Sequence, residues 1–161
     1  MDQESKQPRR VKNTDATAHR TGARRATVKP HKRPAEPDVK KLISDYMGAI
    51  RSGSLRNTYY GDTIAKNAAA LCRNFGIDTT DEPYLLVDPT GSGRAGMLLS
   101  SSGVHLADGR GGTLAVTWKD LPGITLACQR GMIVIGQSGV TTSDAQAMTT
   151  LLQQIQAKFA Q

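Results

Sequence analysis

Cysteine is nearly missing from this chain: Cys72 and Cys128 are the two in 161 residues. They are too few for a disulfide scaffold and too far apart for a C-x-x-C metal or redox site. Both are expected as reduced, mostly buried side chains. Long apolar runs are missing as well, and no stretch approaches the ~18 residues that mark a membrane span. The opening "MDQESKQPRR" carries no apolar signal-peptide core, and Asp2, Glu4 and Asp15 do not suit a transit peptide. These absences predict a cytoplasmic chain without integral membrane contact. Aromatic residues make up 4% of the sequence, so a sheet face carrying a row of base-stacking rings is not expected. Phe75 and Phe159 fall on apolar helix faces, and Trp118 alternates with Leu114 and Val116, which predicts a core position.

The charge is unevenly divided. Residues 1–41 hold 12 of the 21 Lys and Arg side chains and 5 of the 14 Asp and Glu, a net +7 that equals the charge of the whole chain. The sequence pI of about 9.7 is therefore a property of the N-terminal arm, and the remainder is neutral. A neutral folded surface does not steer polyanions, whereas a basic arm binds phosphates by releasing condensed counterions. Arg9, Arg10, Arg24, Arg25, Lys32 and Arg33 are the candidate polyanion-binding residues. Residues 1–36 contain no Leu, Ile, Phe, Trp or Tyr, too little apolar surface to offset the entropy of ordering, so this arm is expected to be disordered. Within it, "RRATV" fits a basic-directed phosphorylation pattern at Thr27, and "KPHKRP" reads as a basic patch.

From Pro37-Asp38 the pattern becomes periodic. Val39, Leu42, Ile43, Tyr46, Met47 and Ile50 share one helical face, and the helix is expected to stop near Gly53. A second helix starts at Asp62-Thr63, places Ile64, Ala68, Leu71, Cys72 and Phe75 together, and ends at Gly76, with Ile77 folding back. Residues 38–76 thus read as a helical hairpin. From residue 83 the period changes: 84–87, 96–100, 104–107, 113–118, 124–128 and 132–136 read as six short strands joined by Gly-rich turns, an antiparallel meander. The last of these, "MIVIG", is a continuous apolar run and is expected to be covered on both faces. The sequence closes with a helix that has Thr142 or Ser143 as its cap and Ala145, Met148, Leu151, Leu152, Ile155 and Phe159 on its apolar face. The plan is α+β, with two N-terminal helices, a six-stranded antiparallel sheet over 83–160 and a C-terminal packing helix.

Residues 91–96, "GSGRAG", satisfy G-x-G-x-x-G. A dinucleotide fingerprint needs a helix opening at the third glycine to receive the pyrophosphate, but "MLLSSSGVHL" comes next, with a turn within five residues. The kinase pattern lacks its H-R-D and D-F-G partners, and no G-K-[ST] is present. Asp88-Pro89-Thr90-Gly91 is a turn signature, so the glycines are read as backbone geometry in a hairpin. His19 and His31 lie in the arm and fix no metal site. His105, between Val104 and Leu106, is expected to face solvent. "SSSG" at 100–103 lacks G-x-S-x-G and reads as a turn. Arg94 and Arg110, each presented on a loop, are the candidate partner contacts.

"DEPYLLVDPTGSGRAGMLLSSSGVHLADGRGGTLAVTWKDL" resembles the opening of bacterial pleckstrin-homology-like (PH-like) domains. The matching features are Gly91-Ser92-Gly93, the hairpin from Gly96 to Val104, and the corner Trp118-Lys119-Asp120-Leu121. With the preceding helices, the resemblance spans about residues 38–160. It implies a bent antiparallel sheet packed by a C-terminal helix, and a binding or scaffolding role with no catalytic residues or cofactor. The expected function is a non-enzymatic interaction protein whose domain binds a protein partner or self-associates. The alternative is a nucleic-acid-associated protein that binds DNA or RNA through residues 1–41.

Overall fold

Asp38 caps the first helix, α1 (Val39–Ala49), by accepting the Lys41 backbone N–H at 3.1 Å. The computed structural model describes residues 35–50 and 54–161; the expected arm, apart from its last two residues, lies outside them. Val39, Ile43 and Met47 bury the inner face of α1, and Leu42 and Tyr46 flank it. The helix ends at Ile50, whose backbone is extended.

Where the sequence predicts a loop leading into one second helix, the structure has a strand and two short helices. β1 (Thr58–Tyr60) is followed by α2 (Asp62–Ala65) and α3 (Ala68–Phe75). The break has a local cause. Asn67 N–H bonds back to Ile64 O, a tight i−3 bond that closes α2, and Asn67 itself leaves the helical region before α3 begins. α3 stops at Gly76 as expected, and Ile77 N–H returns to Cys72 O at 2.9 Å.

The strands are β2 (Pro83–Val87), β3 (Ala95–Ser100), β4 (Gly103–Asp108), β5 (Thr113–Thr117), β6 (Leu126–Gln129), β7 (Met132–Ile135) and β8 (Ser138–Thr141). They do not form one six-stranded sheet. β1 to β5 make a five-stranded antiparallel meander in chain order, and β6 to β8 make a separate three-stranded one. The chain turns between them at Thr117–Asp120, where Asp120 N–H bonds Thr117 O, and then passes through a short 3-10 turn at Leu121–Gly123. α4 (Ala145–Phe159) closes the fold against β6, β7 and α1. Gln156 ties it to the corner by donating to Leu121 O at 2.9 Å and Ile124 O at 2.7 Å. The cap of α4 is Asp144 rather than Thr142 or Ser143.

Both faces of β2 to β4 are covered. Leu85, Val87, Met97, Leu99, Val104 and Leu106 face the main core with α1, α4 and the smaller sheet, while Leu86, Leu98 and Ala107 pack under Ile64, Leu71 and Phe75. Among the described residues, the smaller sheet is covered on one face only: Ile133 and Ile135 are buried, but Met132 and Val134 are half-buried, so "MIVIG" is not the doubly covered strand its composition suggests. Trp118 is buried and stacks on Phe159 with ring centres 6.3 Å apart. Leu114, on the same side of β5, is 42% exposed because β5 is an outer strand.

Candidate interaction surface

The glycine loop between β2 and β3 fills itself. Asp88 accepts Gly91 N–H at 3.0 Å and Gly93 N–H at 2.9 Å, Thr90 Oγ1 accepts Ser92 N–H, and Ser92 Oγ accepts Arg94 N–H. A carboxylate of the loop thus occupies the place a phosphate would take among the same donors. Asn74 of α3 holds the loop from outside by donating to Gly93 O at 2.9 Å. At Gly96, φ is +128° and a Cβ would run into the Val87 carbonyl oxygen, so the third glycine answers a close approach of two strands.

The β3–β4 register pairs Ala95 with Asp108, which brings the β2–β3 loop and the β4–β5 loop to the same end of the larger sheet. Arg94 and Arg110 are both exposed there. The Asp108 carboxylate shapes the second loop by accepting Arg110 N–H at 2.7 Å and Gly112 N–H at 3.0 Å, and these bonds hold its carboxyl below the usual value. Arg9, Arg10, Arg24, Arg25, Lys32 and Arg33 lie outside the described residues.

His105 does not face solvent; it is 6% exposed. Its ring points to the side of the sheet that α3 covers, so alternation along β4 leads from one buried face to another. Nε2 lies 2.8 Å from Ser100 Oγ and 3.1 Å from Ser102 Oγ, and Ser102 Oγ donates to Asp81 at 2.8 Å. Nδ1 is buried without a hydrogen-bond partner among the described residues. Burial pushes the His105 pKa down, with Asp81 opposing weakly. The carboxylate therefore bonds a serine and not the imidazole Nδ1, which is not the order of a hydrolytic triad. Ser100 is fully buried, so this chain of hydroxyls serves to tie the β3–β4 turn to the Asp81 loop. Cys72 is buried, with its thiol pKa raised chiefly by burial, and Cys128 is half-buried; both are free.

β5 is the most open part of the larger sheet. Thr113, Leu114, Ala115 and Thr117 are exposed and Val116 is half-buried, although the strand contains no charged residue. Beside it, a groove of about 470 Å³ is lined by Leu106, Leu114, Ser138 and Val140 among others. The sequence carries the signal for this surface in "TLAVT", an apolar and β-branched run, but not the information that the next strand joins a different sheet. Among the described residues, no helix is long and apolar enough to cross a membrane, and no group of three or more His, Cys, Asp or Glu is placed to hold a metal ion. No protein-family model, curated protein or solved structure matches the chain.

Proposed function

We propose that this protein is a non-enzymatic interaction and scaffolding protein, built from a PH-like binding domain and a basic N-terminal arm. The observation that carries this reading is the open β5 edge, an exposed and uncharged strand that starts at the Arg110 loop and lies on the same sheet end as Arg94. Exposed main-chain donors and acceptors flanked by apolar side chains suit a partner that adds a strand, and the two arginines suit acidic groups at the end of that partner. Antiparallel strands closed by a C-terminal helix agree with what the resemblance to PH-like domains implies.

Affinity capture tests the reading, using the full chain, the Arg94→Glu/Arg110→Glu variant and a fragment starting at Glu36, each at low and high salt. Partners that survive high salt, remain with the fragment and are lost with the charge reversal support it. Failure of both the full chain and the fragment to retain any protein contradicts it.

The charge division favours a second reading, in which the arm attaches the protein to DNA or RNA. With the net +7 confined to residues 1–41, affinity would fall steeply with salt. Neutralising Arg9, Arg10, Arg24, Arg25, Lys32 and Arg33 would flatten the slope by about one unit for each phosphate that is no longer paired. Salt-independent binding removes this reading.

A further inference from the structure

Asp108 N–H donates to Gly112 O at 3.1 Å, and this bond fixes which groups β5 turns outward. In an antiparallel ladder the hydrogen-bonded pairs alternate, so Leu114 and Val116 exchange bonds with Leu106 and Val104 of β4. Thr113 and Ala115 then direct their N–H and C=O groups to the open edge, and Thr117 directs its N–H there while its carbonyl already accepts the Asp120 N–H. Natural edge strands are blunted by lysine, proline or a bulge. Thr113–Thr117 has none of these.

We propose that two copies of this chain pair β5 with β5, antiparallel, about a two-fold axis at Ala115. This rests on the interaction reading above and names the partner as a second copy. The sequence "TLAVT" is nearly palindromic: in this register Thr113 meets Thr117, Leu114 meets Val116, and Ala115 meets its own copy. The outward-facing residues are the ones that become hydrogen-bonded pairs, with two bonds at the central Ala115 pair and, because Asp120 N–H already occupies Thr117 O, the Thr117 N–H to Thr113 O bond at each end. Leu114 and Val116 fall in the closer, non-bonded pairs, where apolar side chains touch best. Leu114 gains a partner for its exposed side chain, and the partner's Val116 lies toward the groove lined by Leu106 and Val140. Charge agrees as well. The same register carries the Arg110 loop of one copy toward the Thr117–Asp120 corner of the other, where Asp120 is exposed. A two-fold contact uses the edge of each copy once, so assembly closes at the dimer.

Five paired residues and a corner are small beside the ~1,200 Å² of a standard interface, so the dimer is expected to be concentration-dependent. Sedimentation equilibrium on the full chain, up to about 100 µM, tests the proposal together with Ala115→Pro and Leu114→Lys. Ala115 N–H points outward, so proline there removes both bonds of the central pair across the two-fold and leaves the β4 ladder intact. The expected result is a reversible rise toward twice 17.2 kDa in the wild type, with the dissociation constant raised about tenfold or more in each variant and circular dichroism unchanged. Should Ala115→Pro fail to fold, Leu114→Lys decides. A wild type that stays at the single-chain mass overturns self-pairing, and a dimer that survives Leu114→Lys overturns this interface. Capture of other proteins by a monomeric wild type would still leave the interaction reading standing.

Discussion

The carboxylate of Asp144, at the start of α4, accepts the backbone N–H of Asn57 at 2.8 Å. The same carboxylate takes the Arg56 N–H at 3.0 Å and the Thr58 hydroxyl at 2.8 Å. One buried side chain therefore fastens the outer strand β1 to the last helix, across more than half of the folded unit. Burial alone would raise the Asp144 pKa, but the hydrogen bonds from Arg56, Asn57, Thr58 and Ser143 together hold it below its ordinary value.

Asp144→Asn keeps one acceptor oxygen and puts an amide donor in place of the other, so the donors of Arg56, Asn57 and Thr58 that two oxygens now share must compete for one. The expected loss is about 2–4 kcal/mol in urea denaturation. The depressed pKa sets the pH window. Above the unfolded carboxyl value of about 3.9 the contribution is fully present, and it is lost as pH falls from there through the lower folded pKa. The Asn variant should lack that acid-range slope.

His105 predicts a slope at milder pH. Its folded pKa is lowered, so on acidification the unfolded chain binds the proton first, and stability falls as pH drops below the unfolded value of about 6.5. Denaturation midpoints measured from pH 7.5 to 5 should decline in the wild type and decline less in His105→Gln. Equal slopes in the two proteins would show that the imidazole is not held neutral.

The glycine loop separates strain from collision. Gly96→Ala drives a Cβ into the Val87 carbonyl and should cost about 3 kcal/mol or more. Gly91→Ala meets open space and bears only the left-handed backbone penalty, about 1 kcal/mol. Comparable losses in the two variants would contradict the close strand approach at Gly96.

Because Asp88 already holds Gly91 and Gly93, millimolar Mg-ATP should leave the amide resonances of both residues unmoved. Asp88→Ala should free them at a cost of about 1–3 kcal/mol. Saturable shifts of these amides in the wild type would mean that a nucleotide displaces the carboxylate.

The periodic segments of this fold are legible in the sequence: α1 and α4 bury the face that their spacing predicts, and each of the six expected runs is a strand. What spacing does not carry is which elements cover a face. It misleads at His105 and at the run 132–136 in opposite senses for that one reason: α3 lies over β4, while none of the described residues covers the outer side of β7. β1 escapes detection although Thr58-Tyr59-Tyr60 are good strand formers, because three residues are too few to display a period. β8, with Gly139 at its centre, has neither period nor propensity. The turn role of the "GSGRAG" glycines is legible from the strand and turn residues after Gly96, but the carboxylate that fills the loop is not, because Asp88 on its own reads as a turn residue.

The hydroxyl of Tyr46 in α1 donates to the Ala147 carbonyl in α4 at 2.7 Å. The first helix of the folded unit is thus seated on the last, and the order of synthesis matters. The hairpins of both sheets join neighbouring segments and can pair as they emerge from the ribosome, while α1 waits for a surface made about a hundred residues later, in α4. A message truncated before α4 would release a nascent chain with its main core unsealed, a substrate for chaperones and proteases and not a smaller working protein.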